Sequence, residues 1–225
     1  MGDLPVGPII PCMFYRERRF LLLTPSLSSE RPDVVRVMLK NGCDANLRTR
    51  GGWNALQHAA DCGNEALASL LLNNGADVNL ISRDGMTPLI QAAKRGNESL
   101  LWLFIMHKAN LDAQEEDGSS ALHHAVKEGF WPIAWLLAEK GANLNLQDNR
   151  GNTIMHHAAR RGDGSMVWFL IRKGAAFNVP DKDGILPFHV AAQLGHEAVI
   201  QLLADKVGDI DQKDHMGWSA LGYAV

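Results

Sequence analysis

Arg83-Asp84-Gly85-Met86-Thr87-Pro88-Leu89-Ile90-Gln91-Ala92-Ala93-Lys94-Arg95-Gly96 is a segment that the chain repeats along most of its length. Sliding the sequence against itself by thirty-three residues brings the first of its glycines onto Gly52, Gly118, Gly151, Gly184 and Gly217. The last falls on Gly63, Gly129, Gly162 and Gly195. The alanine pair returns as Ala59-Ala60, Ala158-Ala159 and Ala191-Ala192, with Ala125-Val126 and Ala224-Val225 as variants. A fixed period of this length predicts stacked copies of one small unit, each burying its apolar face on the next, rather than a single closed core.

Within one copy, Thr87-Pro88 opens a helix. The threonine hydroxyl can accept a bond from a free first-turn amide, and Pro88 loses nothing at the next position by lacking an N–H. The helix runs through Leu89 and Ala92-Ala93 and stops near Gly96, which can take the left-handed conformation of a helix end. Small alanines allow another helix to lie close. A second helix carries Leu100, Leu101, Leu103, Phe104 and Ile105 at spacings that face one side. In neighbouring copies it stops at Gly75, Gly141 and Gly174. A short extended piece such as Ala76-Asp77-Val78-Asn79 then leads to a turn with an Asp-Gly or similar pair.

This pattern resembles the ankyrin repeat family. Gly-x-Thr-Pro-Leu-His-x-Ala-Ala, then Gly, then Leu-Leu-x-x-Gly-Ala-x-x-Asn is matched closely over Gly85 to Ala93 and well over Gly118 to Asn145. The likeness covers Arg19 to Val225, with copies starting near residues 19, 49, 82, 115, 148, 181 and 214. The first copy is degenerate: Leu21-Leu22-Leu23 holds the place of its first helix next to an ill-suited Pro25, while its second helix is expected over Pro32 to Leu39. The seventh stops inside its first helix, on an apolar stretch from Trp218 to Val225. Since solenoid ends need a polar outer face, this suggests a piece of something longer, or an end covered by another molecule. Departures from the pattern are local. Asn54-Ala55 and Ser120-Ala121 stand for Thr-Pro, Leu186 stands for the threonine, and Lys108 and Val207 replace the glycine after the second helix. Residues 1–18 lie outside the register and are expected to pack over the first repeat. The resemblance implies an all-α solenoid of helix-loop-helix units with hairpin-like turns, and recognition of protein partners through a concave surface.

Composition is that of an ordinary soluble chain: 225 residues, 46 % hydrophobic, 21 % charged, with a formal net charge of −3. A nucleic-acid binder more often carries a strongly basic face. Cys12, Cys43 and Cys62 have no metal or disulfide spacing, and their odd number suits a reducing compartment. No apolar run approaches a membrane span. Asp3, Pro5, Pro8 and Pro11 spoil a signal peptide, and Val6 spoils a myristoylation motif. The cytoplasm or nucleus is the expected compartment.

In the family's architecture the turns and first helices line the concave side and the second helices the convex back. The rows of candidate contact residues are then Trp53, Met86, Ser119, Asn152, Ile185 and Trp218; His58, Gln91, His124, His157, Val190 and Tyr223; and Cys62, Arg95, Glu128, Arg161 and Leu194. Large aromatics and arginines dominate protein interfaces, which singles out Trp53, His58, Met86, Arg95, His124, His157, Arg161, Ile185 and Trp218. Small Ser119 and Asn152 leave Trp53 and Trp218 without a structural reason for their size. Charge alternates along the row, from Arg48 and Arg50 through Lys94-Arg95 and Glu115-Glu116-Asp117 to Arg160-Arg161, as suits a partner of mixed charge.

On the back, Trp102, Trp135 and Trp168 are one period apart, outside the apolar stripe, where other copies have Arg36, Ser69 and Gln201. Helices pack about 8–10 Å apart, so the three indoles form a contiguous strip. They either stack on one another or serve as a second docking surface, for a partner or for another copy of the chain.

His123, His156 and His189 match the family histidine that bonds the neighbouring turn. The adjacent His124 and His157 point about 100° away around the helix, too far from each other to share a metal ion at ~2 Å per ligand. No metal, cofactor, small-molecule substrate or catalytic constellation is expected. By resemblance, Asn79, Asn145 and Asn178 are candidate sites for oxygen-dependent hydroxylation. The expected activity is a non-catalytic protein-binding scaffold. The alternative is the targeting module of a longer enzyme, ubiquitin-ligase subunit, channel or secreted bacterial effector, with the working domain after residue 225.

Overall fold

The computed structural model describes residues 32–49 and 51–225. The extension over residues 1–18, the degenerate helix at Leu21–Leu23, Cys12 and Arg50 lie outside the described residues. Twelve helices follow one another in the described chain. An inner layer is made of the first helices: α2 (Ala55–Cys62), α4 (Pro88–Arg95), α6 (Ala121–Glu128), α8 (Ile154–Arg161), α10 (Pro187–Gln193) and α12 (Ala220–Tyr223). An outer layer is made of the second helices: α1 (Pro32–Lys40), α3 (Glu65–Leu72), α5 (Glu98–Met106), α7 (Trp131–Glu139), α9 (Gly164–Arg172) and α11 (Glu197–Ala204). Inner helices lie closer to one another than outer helices do, so the stack curves with the first helices on its concave side. Strand pairing among the described residues is confined to single bridges at the turns, Arg48 with Asn54, Gln114 with Ser120 and Lys213 with Ser219.

Local chemistry accounts for the starts of the inner helices. Thr87 accepts from the Ile90 amide and Pro88 follows it. Where the Thr-Pro pair is missing, the cap survives by other means: Asn54 and Gln57 bond each other's backbone amides reciprocally, as do Ser120 and His123. Leu186 has no side-chain oxygen to offer, and its own amide is instead taken by His189 Nδ1 at 3.1 Å. Ala59, Ala60, Ala92, Ala93, Ala125, Ala158, Ala159 and Ala191 are all buried between inner helices. Larger apolar side chains, among them Leu100, Leu101, Phe104, Ile133, Leu137 and Leu170, close the space between the layers. Each such side chain contributes about 1.5–3 kcal/mol relative to exposure.

Two sets of bonds lock each repeat to the next. Along the tips of the turns, the amides of Glu116, Asn149, Lys182 and His215 donate to the carbonyls of Asp84, Asp117, Arg150 and Asp183 at 2.8–3.0 Å. Gly118 and Gly151 make this approach feasible: both have positive φ, and a Cβ on either would come within 2.6–2.7 Å of the neighbouring backbone nitrogen. In the loops after the second helices, Asn46 accepts from the Asp77 amide, Asn79 from Asn110, Asp112 from Asn143 and Asn145 from Ala176. The glycine-marked turns therefore line up along one edge.

The two departures at the ends of second helices resolve differently. Lys108 adopts the left-handed conformation in place of glycine, at φ +63°. Val207 does not; it is buried, and its amide bonds the Leu203 carbonyl at 2.8 Å.

Candidate interaction surface

The inner face is built from the turns and the inner helices, and the structure divides the nine sequence candidates there into three groups. Arg95, Arg161 and Trp218 are exposed, Trp53, His58 and Ile185 are half-buried, and Met86, His124 and His157 are buried. The last three are corrections to the sequence reading. Met86 lies in the core, and its carbonyl accepts from Gln57 of the preceding repeat. His124 and His157 turn toward their own hairpins: His124 Nε2 bonds Glu115, while His157 Nε2 sits 3.5 Å from Asp148 without making a hydrogen bond. Tyr223, at the same place two copies on, donates its hydroxyl to Asp214 at 2.5 Å.

This repeated pairing, an acid at the start of the turn beside a ring nine residues later, was missed in the sequence, although the spacing of Glu115/His124, Asp148/His157 and Asp214/Tyr223 is legible there. It also sets the local titration. Burial, followed by the neighbouring His123, lowers the His157 pKa to about 4 despite the opposing pull of Asp148. His123 and His157 meet edge to face at 5.7 Å. Burial likewise lowers the pKa of His58, His123 and His156. The bond to Asp214 pushes the Tyr223 phenol up to about 12, and the same bond holds the Asp214 carboxyl below its ordinary range.

His156 and His189 occupy the expected bridging role, reaching the Ile185 and Gln212 carbonyls at 3.0 and 2.8 Å. Their Nδ1 atoms accept the N-cap amides, so the proton sits on Nε2. His123 holds the equivalent place, but its Nε2 has no partner.

The exposed candidates have intramolecular contacts as well. Arg95 bonds Asp61 of the preceding inner helix, which also takes the Gln91 amide. Arg161 covers Gly129 and donates to the Lys127 carbonyl at 3.1 Å, a favourable site for a cation at a helix C-terminus. Trp53 packs on His58 with ring centroids 5.2 Å apart, and Trp218 on Tyr223 at 6.2 Å. These two tryptophans therefore have a structural contact, the ring five residues on, while Trp218 keeps about half its surface exposed. A mainly acidic notch of about 380 Å³ is lined by Asp84, Glu115, Glu116, Asp117 and Glu128 together with Lys94, Lys127 and His124.

On the outer face Trp102, Trp135 and Trp168 are 46 %, 47 % and 53 % exposed. They do not stack on one another. Trp102 is covered in part by the Lys140 ammonium, 4.6 Å above its ring, and Trp168 by Arg172 at 5.2 Å. An open groove of about 940 Å³ meets the row at Trp102 alone and is lined also by Ser69, Leu103, Met106 and Leu136 with Glu65 and Glu98. Asn79 and Asn145 are exposed and serve as the staples described above, and Asn178 is exposed. Among the described residues no group of His, Cys, Asp or Glu is placed to hold a metal ion, Cys43 and Cys62 are free thiols, and no helix is long and apolar enough to cross a membrane.

Comparison with known proteins agrees with this architecture. The family model described as ankyrin repeats (3 copies) matches residues 26–115, 90–181 and 155–225. No curated protein sequence matches the chain. Among solved structures, the chain is similar to the ankyrin repeat domain of Bcl-3, described as a unique member of the IkappaB protein family. The TM-score is 0.79 at 23 % identity, over 90 % of this chain and 93 % of that one. With that, the thirty-three-residue period, the capped helix pairs and the bonded turns have one explanation: the chain belongs to the ankyrin repeat family.

Proposed function

We propose that the chain is a non-catalytic recognition module that holds a protein or peptide partner along its inner face, in the cytoplasm or nucleus. The observation that carries this reading is the set of exposed side chains, Arg95 and Arg161 at the ends of inner helices and Trp218 with the half-buried Trp53 and Ile185 on the turns, set on a stack whose successive turns from Asp84 to His215 are bonded to one another. Such a surface loses little conformational freedom on binding. Tryptophan and arginine are the side chains that most often dominate an interface. The mainly acidic notch, with Lys94-Arg95 on α4 and Arg160-Arg161 on α8, gives the partner a register: a basic residue at its centre with acidic residues on either side fits the face. The buried His124 acts indirectly, by bonding Glu115 of the turn that helps present this surface.

The test is affinity purification with mass spectrometry, comparing the chain with its Trp53→Ala/Arg95→Ala variant. The variant loses only an exposed ion pair and a ring contact, so its melting temperature is expected to change little, while the set of captured proteins is lost. Equal capture by both removes the inner face from consideration.

A further inference from the structure

We propose that the inner face takes an extended partner strand with acidic side chains at positions i and i+6 and a lysine or arginine at i+3. This rests on the inner-face reading above and adds to it the backbone form and charge spacing of the partner. The cations lie along the edge of the face made by the helix ends. Lys94, Lys127 and Arg160 occupy the same place in the last turns of α4, α6 and α8, one period apart, and all three are exposed. The helix dipoles account for cations at these ends. Among the described residues none of the three forms an ion pair, so their charge is open to a ligand. Lys127 is followed by Glu128, whereas Lys94 and Arg160 are each followed by a second arginine, which makes α4 and α8 the positive points of this edge.

The acids lie along the opposite edge, on the hairpins. Glu116 and Asp117 are exposed at the tip of the turn before α6. The turn before α4 offsets Asp84 with Arg83, and the turn before α8 has Asn149 and Arg150 at the same places. The negative point of the hairpin edge therefore falls on the repeat midway between the two positive points of the helix-end edge. Lys94 and Lys127 line the same notch as Glu116 and Asp117 without forming an ion pair with either. Opposite charges held apart across one shared space are complementary to an occupant that carries both signs.

Spacing and direction together select the backbone. Two steps between neighbouring inner helices cover about 16–20 Å, and six residues of strand rise about 20 Å. Side chains at i and i+6 of a strand point the same way, while i+3 points the opposite way. Acids then meet Lys94 and Arg160 on the helix-end edge, and the base between them meets Glu116 and Asp117 on the hairpin edge. A polyproline segment repeats every three residues and would turn all three charges to one edge. A helix needs about fourteen residues for the same distance at 1.5 Å each, and its midpoint again falls on the side of the acids. The pattern reads the same in both directions, so either strand orientation satisfies it.

Fluorescence anisotropy of the whole chain with labelled serine- and threonine-rich peptides of equal length, at low salt, tests this. The first peptide has Glu at i and i+6 with Arg at i+3. The second exchanges the signs, and the third has the composition of the first with its three charges adjacent. The wild type is expected to bind the first at least ~fivefold more tightly than either other peptide, and the preference should fade in high salt. Because the chain carries a formal net charge of −3, attraction without register would favour the second peptide instead. The Lys94→Glu/Glu116→Arg/Arg160→Glu variant changes exposed side chains only, and its melting temperature checks that it folds. It should reverse the preference and take the second peptide. Equal binding of the three peptides by the wild type overturns the proposal, as does a preference that the folded variant leaves unchanged. If the Trp53→Ala/Arg95→Ala variant still loses its captured proteins in that event, the inner face stands as the binding surface and only the strand register falls.

Discussion

His124, His157 and Tyr223 on the inner layer are polar and largely withdrawn from solvent, whereas Trp102, Trp135 and Trp168 on the outer layer are apolar and half exposed. Both sets recur at the repeat period, and neither follows the simple rule that polar residues face water. The inner helices lie so close that a side chain in this row is withdrawn from solvent and meets either its own hairpin, as His124 and Tyr223 do, or the preceding inner helix, as Gln91 does. The outer helices are spread by the curvature, and a large ring there meets only a lysine or arginine above it. The same sequence period thus places residues in two physical regimes: one in which polar side chains turn inward onto the hairpin of their own repeat, and one in which apolar side chains stay half exposed.

That contrast can be broken hardest at the turn tips. Gly118→Val puts a β-branched side chain at φ +80° and its Cβ 2.6 Å from the Asn149 amide. Loss of at least about 3 kcal/mol is expected in urea unfolding. A comparably sized change on the outer face, Trp168→Gln, which copies Gln201, should stay within about 1 kcal/mol. Similar losses at the two sites would mean that the inner edge is no more tightly coupled than the outer.

The buried rings give the next largest effect. The pKa of His157 is depressed to about 4 from an ordinary 6.5, so the unfolded chain binds more protons than the folded one between those values. Stability is therefore full above pH 6.5 and falls as the pH drops toward 4. At pH 5 His157 alone accounts for about 2 kcal/mol, and His58, His123 and His156 add in the same direction. His157→Val copies Val190, which is buried at the equivalent place. This variant should show a visibly smaller fall in stability between pH 7 and pH 5, measured by denaturant titration at each pH. An unchanged pH dependence would show that this ring is not held neutral by its surroundings.

A smaller gain is expected from Lys108→Gly, which relieves the left-handed lysine at the end of α5 and should raise stability by about 1 kcal/mol in thermal unfolding. The smallest effect belongs to Arg95→Ala. Its ion pair with Asp61 is more than half exposed on the arginine side, so the expected change is within ~1 kcal/mol, with the consequence seen in partner capture instead.

Much of this could be read from residues alone, because the period is carried by groups with one physical job each. Glycines at the turn tips, Thr87-Pro88 at a helix start and alanine pairs between inner helices leave little choice of fold. The bridging roles of His156 and His189 follow from the family pattern. Side-chain fates within the inner face were less legible. Met86 shares a row with Trp53 and Trp218, yet it points into the core, since a row position does not say whether the flexible thioether turns inward. His124 and His157 were read from their angle on the helix, while their partners lie on the hairpin nine residues before them. The lack of indole stacking on the back depends on the spread of the outer helices and on where Lys140 and Arg172 lie, neither of which is visible in a period.

Amide hydrogen exchange at the turn tips bears most directly on the claim that the repeats form one continuous, pre-ordered edge. The amides of Glu116, Asn149, Lys182 and His215, each donated to the preceding turn, should be protected to a degree close to that of the inner helices α6 and α8. Exchange of these four amides at the rate of free loops, with the helices still protected, would contradict the account: the turns would then be independent tips, with no shared surface for a partner to read.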